Sequence, residues 1–261
     1  MKGFTGAWVL LKKDFFSFYR SWVGVLVLFA FLLVAGIFFT LFVLGYSSLS
    51  MEAARQGYEG VGRMNLTGFV IGAFLLNLGV LFLFLAPLMS MRSLAEEKRT
   101  GTLELLYTYP VSDFEIVMGK YGALLAQLAA LFLPTLAYLG ALRLLGGQID
   151  FGIVFSGTLG FFLLGAAYLA MGLFFSAVTE NQMLAGGLSF SLLMVFWVLE
   201  WLAGLAPRPW GNGLSAFSPF VHYRDFALGI VDLQAVVFFL SAAAFFLFLA
   251  LRTVETRNWK G

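Results

Sequence analysis

Arg92-Ser-Leu-Ala-Glu-Glu-Lys-Arg-Thr-Gly-Thr-Leu-Glu-Leu-Leu-Tyr-Thr-Tyr-Pro-Val-Ser-Asp-Phe-Glu-Ile-Val-Met-Gly-Lys120 is the one densely charged run in this chain. It holds nine of the thirty acidic and basic residues: Arg92, Glu96, Glu97, Lys98, Arg99, Glu104, Asp113, Glu115 and Lys120. Helix caps and helix breakers alternate along it. Ser93 with Glu96, and Ser112 with Glu115, have the Ser-x-x-Glu spacing of a capping box, in which two side chains satisfy free amides at a helix start. Thr100-Gly101 predicts a break, because glycine is costly inside a helix and suits a left-handed cap. A second short helix is predicted from Thr102 to Tyr107. Pro110 ends it, since the residue before a proline is pushed out of helical angles. Leu103, Leu105, Leu106 and Tyr107 give this short helix more apolar surface than a free polar loop carries. Such a surface predicts a docking element that lies in a groove of a partner.

On both sides of this run the chain is apolar. Of its 261 residues, 61% are hydrophobic and 11% charged, with mean hydropathy +0.93. A soluble domain carries roughly 25% charged residues, so the solvent for most of this chain is lipid. There is no cysteine, which excludes disulfides and thiolate metal sites. A net charge of +2 does not point to nucleic acid.

The charge-poor runs are about the length needed to cross a bilayer, roughly 20 residues each. They predict an all-α polytopic membrane protein, a single domain over 1–261 with six spans at about 22–45, 67–91, 115–142, 151–177, 183–204 and 233–251. Residues 1–21 precede them as an amphipathic helix in the membrane interface. Phe4, Trp8, Leu11, Phe15, Phe18 and Trp22 recur on one face, with Lys2, Lys13, Ser17 and Arg20 opposite and Leu10 interrupting the polar side. Residues 46–66 read as a polar loop, 92–114 as a cytoplasmic segment between spans two and three, and 205–232 as an outer region of short interfacial helices. With the N-terminus inside, eleven Lys and Arg lie on inner segments and five on outer ones. This bias places both termini, and the 92–114 segment, in the cytoplasm.

Few groups in the spans carry chemistry. Asn77 and Gln127 are candidates for interhelical bonds or for lining a path, and Glu200, near the end of span five, for a path-lining acid. A nucleotide-binding P-loop requires Gly-x-x-x-x-Gly-Lys-Ser/Thr. At Gly119-Lys120 the earlier glycine position holds Phe114 and the hydroxyl position Tyr121, so Lys120 reads as an inner-interface anchor. His222 is the single histidine, which excludes a two-His metal site within one chain.

Arg92, Glu96-Glu97, Arg99, Gly101-Thr102, Glu104-Leu105-Leu106, Pro110-Val111-Ser112 and Gly119-Lys120 together resemble the signature loop of ABC transporter type 2 permeases. The resemblance is nearest to the small six-span permeases of the gliding-motility and nitrous-oxide-reductase-maturation kind. Ser176 to Gln182 resembles that family's tight inner turn, and Ser218-Pro219-Phe220 through Gly229-Ile230-Val231-Asp232 its outer re-entrant region. The resemblance implies an exporting permease subunit in the cytoplasmic membrane of a prokaryote, paired with a second copy or a homologue. It implies a cytoplasmic ABC ATPase as partner, which would carry the ATP and magnesium. Accessory extracytoplasmic subunits are also expected, and no cofactor in this chain. The coupling helix would lie near Thr102–Tyr107, and the contact residues would be Glu96, Glu97, Arg99, Gly101, Thr102, Leu103, Glu104, Leu105, Leu106, Tyr107 and Pro110. An ion- or proton-coupled carrier or channel working alone, and a non-transporting membrane scaffold, are the alternatives.

Overall fold

A computed structural model describes residues 3–55, 67–102, 111–144, 146–207 and 210–257. Every element among them is helical. Helix α1 (Gly3–Arg20) and α2 (Trp22–Arg55) meet at a corner built on Ser21. Its Oγ donates to the Phe18 carbonyl at 2.8 Å and accepts from the Gly24 amide at 3.1 Å. A π-helical turn, Thr67–Gly72, runs into α3 (Ala73–Ser90), and α4 (Ala95–Arg99) follows. Helix α5 (Asp113–Phe132) passes through a 3-10 turn, Leu133–Thr135, into α6 (Leu136–Leu144). Then come α7 (Phe151–Val178), α8 (Gln182–Leu205), α9 (Trp210–Ala216), α10 (Pro219–Ala227) and α11 (Leu233–Arg257).

Among the described residues, six helical segments are long and apolar enough to cross a membrane: α2, α3, α5 with α6, α7, α8 and α11. The expected all-α, six-span architecture is the observed one. One local expectation is corrected. Residues 46–55 continue α2 instead of opening a loop. They are polar, but Met51, Ala53, Ala54 and Arg55 are good helix formers, and polarity alone does not end a helix. Span three, expected at about 115–142, runs over Asp113–Leu144 with a tighter turn inside it. Pro134 has no amide to donate, so the chain tightens into a 3-10 turn there, and Thr135 Oγ1 donates back to the Phe132 carbonyl at 2.6 Å.

Helix α7 is the central element, packed against α3, α5, α8, α10 and α11. Lipid tails are as apolar as side chains, so helices in a bilayer associate through close packing more than through burial from water. Phe161 of α7 sits between Phe82 of α3 (centroids 5.6 Å apart) and Phe132 of α5 (4.9 Å). Near its start, α7 takes α10 into a notch at Gly160, where an added Cβ would lie 2.4 Å from Phe226 Cβ. Tyr223 of α10 is fully buried beside it and donates its hydroxyl to the Leu75 carbonyl of α3 at 2.6 Å. Thus the chain between spans five and six folds back into the bundle through α10. The opposite end of α7 faces α4.

Helix α1 packs along α5. Leu10, which interrupts the polar face in sequence, is the buried contact, only 6% exposed. It lies against Gly119, where an added Cβ would sit 3.1 Å from Leu10 Cβ and 2.9 Å from the Ala7 carbonyl. Trp8 and Phe16 of α1 are exposed, as is Trp22 at the start of α2. The helix therefore presents one stripe to α5 and a separate aromatic stripe outward.

Candidate functional site

The charged run of the sequence folds onto the α4 end of the bundle. Helix α4 starts at Ala95, and the expected Ser93–Glu96 capping box does not form. Ser176, near the end of α7, takes over the role. Its Oγ accepts from the Leu94 and Ala95 amides, at 2.9 and 3.0 Å, and donates to the Met91 carbonyl at 3.1 Å. Glu96 instead takes two bonds from the Arg92 guanidinium, at 2.9 and 3.2 Å. A charge-assisted pair of this kind outcompetes a backbone cap.

Lys98 is also turned inward, and its ammonium donates to the Ala177 carbonyl at the end of α7. Cations suit a helix C-terminus, where carbonyls lack partners. Helix α4 is thus clamped to α7 by two side chains. Gly101 then takes φ +71°, the left-handed break expected there, and Arg99, Thr100 and Thr102 are exposed. Leu103, Glu104, Leu105, Leu106, Tyr107 and Pro110 lie outside the described residues. The Ser112–Glu115 capping box forms as expected: the Glu115 amide donates to Ser112 Oγ at 3.3 Å, and the Ser112 amide to Glu115 Oε2 at 2.8 Å.

The centre of this end is Lys120. It is not an interface anchor: it is 2% exposed and lies two turns inside α5. Its Nζ is 2.7 Å from Glu97 Oε1 and 2.9 Å from Asp14 Oδ2. Lys13 Nζ adds a second cation on Glu97 Oε1 at 3.3 Å. Glu97, expected at a partner surface, is therefore turned into the protein, because a buried ammonium needs a carboxylate more than an exposed surface does. One ion cluster joins α1, α4 and α5. Asp14 is not among the sequence candidates; the one signal for it is a single acid, directly after Lys12-Lys13, in an otherwise basic first helix.

Around the cluster is a cavity of about 320 Å³, walled by α1, α4 and α5. Gln127 closes it. Its Nε2 donates to the Asp14 carbonyl at 3.4 Å, and its own carbonyl accepts from the Tyr19 hydroxyl at 2.9 Å. Gln127 therefore makes interhelical bonds to α1. Two buried oxygens in the wall have no donor, Glu97 Oε2 and Gln127 Oε1. An unsatisfied buried acceptor costs about 1–3 kcal/mol.

The other sequence candidates lie elsewhere. Asn77 donates to the Ala73 carbonyl of its own helix at 2.8 Å. Glu200 is held by the guanidinium of Arg224 in α10. His222 stacks on Phe238 at 4.3 Å and bonds the Ser218 carbonyl at 2.9 Å, a packed polar residue. Among the described residues no cluster of His, Asp or Glu has the arrangement of a metal site.

Among the described residues, six candidate spans thus carry a short charged helix clamped to the central one. A family model described as ABC-2 family transporter protein matches residues 8–255. The chain belongs to the ABC-2 transporter family. Among curated proteins none matches it. As an ABC-2 permease it is a multi-pass membrane protein and the membrane subunit of a transporter, and membership implies an ABC ATPase as its partner.

Proposed function

We propose that this ABC-2 permease couples ATP hydrolysis by a cytoplasmic ATPase to export, and that the 92–114 segment is where the ATPase pushes. The observation that carries the reading is the clamping of α4. A force on the exposed Arg99, Gly101 and Thr102, on the half-buried Glu96, and on Leu103 to Tyr107 and Pro110 beyond them, passes through three connections. Ser176 and Lys98 lead into α7, Lys120 into α5, and Asp14 with Lys13 into α1. An interface that moves as a rigid body is one of the known ways to transmit a two-state change.

In this reading both termini and the α4 end face the cytoplasm of a prokaryote, in its inner membrane. ATP and magnesium are held by the ATPase alone. The permease works as a pair, and α8, with most of its apolar surface uncovered, supports a second copy or homologue beside it. The subtype proposed is the small six-span gliding-motility and nitrous-oxide-reductase-maturation kind, with room for accessory extracytoplasmic subunits. A proton- or ion-coupled carrier would need Glu200 as its titrating group, and the pairing with Arg224 argues against that.

The test is to co-express the chain with an ABC ATPase and follow co-purification and ATP turnover in vesicles. Leu105→Asp and Glu104→Lys are expected to abolish the permease-dependent part of ATP turnover while leaving membrane insertion intact. Unchanged stimulation in both variants would overturn the reading.

A further inference from the structure

Helix α1 turns into the first candidate span at Ser21, and Lys13 joins it to α4 through Glu97. Its outward face therefore stands at one end of the spans, where headgroups begin. Trp8, Lys12, Phe16 and Arg20 follow one another at four-residue spacing, which puts them in a single slanting row on that face. All four are exposed. Lys12 Nζ lies 5.2 Å from the centre of the Trp8 ring, and the Arg20 guanidinium 5.8 Å from that of Phe16. Ring and cation thus alternate along the row. Aromatic and basic groups standing together in this way mark the headgroup level of a bilayer.

Along this row runs an open groove lined by Lys12, Lys13, Phe16, Ser17, Arg20 and Ser21, three cations and no acid. Lys13 shares its charge with Glu97. Among the described residues neither Lys12 nor Arg20 is in an ion pair. The acids turned toward this side of the bundle, Asp14 and Glu97, are both held by Lys120. The groove therefore carries two positive charges in excess. We propose that it binds the headgroup of an anionic phospholipid. Arg20 leans back over the preceding turn, as helical side chains do, so its guanidinium and the Ser17 hydroxyl would donate to the phosphate. Lys12 and Lys13 would add positive potential along the groove, and Phe16 and Trp8 would pack on the glycerol and the upper acyl chain. A choline headgroup brings its own ammonium next to the phosphate, and the cations of the groove repel it. The preference is thus set by net charge, and it falls when those cations are removed. The inference is independent of the ATPase, since binding is read on the permease alone.

The experiment reconstitutes the full chain in vesicles of equal parts phosphatidylglycerol and phosphatidylcholine, extracts it in mild detergent, and identifies retained lipids by native mass spectrometry. The expected result is a preference of about tenfold or more for phosphatidylglycerol, the scale of two basic side chains beside an anionic lipid. The double variant Lys12→Ala/Arg20→Ala removes two exposed side chains and is expected to bring the preference near parity at an unchanged unfolding temperature. Arg99→Ala/Arg252→Ala removes the same charge from exposed positions outside the groove, and is expected to keep the preference. Equal retention of the two lipids by the unmodified chain, or an unreduced preference in Lys12→Ala/Arg20→Ala, overturns the proposal. A preference lost equally in Arg99→Ala/Arg252→Ala would be diffuse attraction to net charge, and it overturns the groove as the site. Inorganic phosphate that displaces the lipid at equal concentration overturns the lipid as the source of the anion. A co-expressed ABC ATPase that no longer co-purifies with Lys12→Ala/Arg20→Ala, while the lipid preference stays unchanged, would assign the face to an acidic protein surface and overturn the proposal.

Discussion

The two ends of α7 are held by different physics. At the α10 end, aromatic rings enter glycine notches: Phe226 and Tyr223 seat against Gly160, and Tyr223 bonds the α3 backbone. An ion pair there, Glu200 with Arg224, leaves the guanidinium half exposed. At the α4 end, charged side chains are buried and cross-linked, with Lys120 between Asp14 and Glu97 and Lys98 on the last carbonyls of α7. Packing resists displacement in every direction and suits a fixed wall. An ion cluster has discrete partners, so it suits an element that must move as a unit and return. The difference between the ends thus matches a driven end and a static one.

The largest effect is expected from breaking the cluster. Lys120→Met should leave Asp14 without its partner and the buried Glu97 with only the more distant, exposed Lys13, at a cost of about 3 kcal/mol, the lower end of the penalty for removing one partner of a buried pair. Thermal unfolding in detergent measures it. A loss below about 1 kcal/mol would place the pair on the scale of an exposed salt bridge and erase the contrast between the ends. Next comes the glycine notch. Gly160→Val would push on Phe226 and should cost about 1–3 kcal/mol, the range for overpacking a filled core. It should also raise proteolysis between α9 and α11 without reducing ATPase stimulation. Lost stimulation would show that the α10 end moves too. The smallest effect is expected from Glu200→Gln. With an exposed partner, the loss should be about 0.5 kcal/mol or less, and transport should be unchanged. Transport abolished at unaltered stability would put Glu200 in the path and make the α10 end functional as well as structural.

Much of this was legible in the sequence, and the reason is locality. Apolar runs read directly as spans because the bilayer sets their length. The Ser112–Glu115 box and the Gly101 break were readable because both depend on neighbours within one turn. Ser93–Glu96 has the same spacing as Ser112–Glu115 and does not cap. Ser176, 82 residues from Leu94, supplies the cap, and Arg92 takes Glu96 away. Residues 46–55 look like a loop by polarity, yet Met51, Ala53, Ala54 and Arg55 favour helix and α2 continues through them. Leu10 interrupts the pattern of a two-faced amphipathic helix. It marks a third face that only the packing on α5 reveals.

The sequence by itself determined the helical class, the six crossings and the position of the charged element between the second and third. Each of these follows from hydropathy, caps and breakers acting over a few residues. Only the tertiary structure decided which charges are buried together. It turned Glu97 away from the surface, made Lys120 the hub of a cluster with Asp14, and paired Glu200 with Arg224. A buried charge is stabilised by whichever counter-charge the fold brings within about 3 Å, and that distance is set by the packing of helices far apart in the chain.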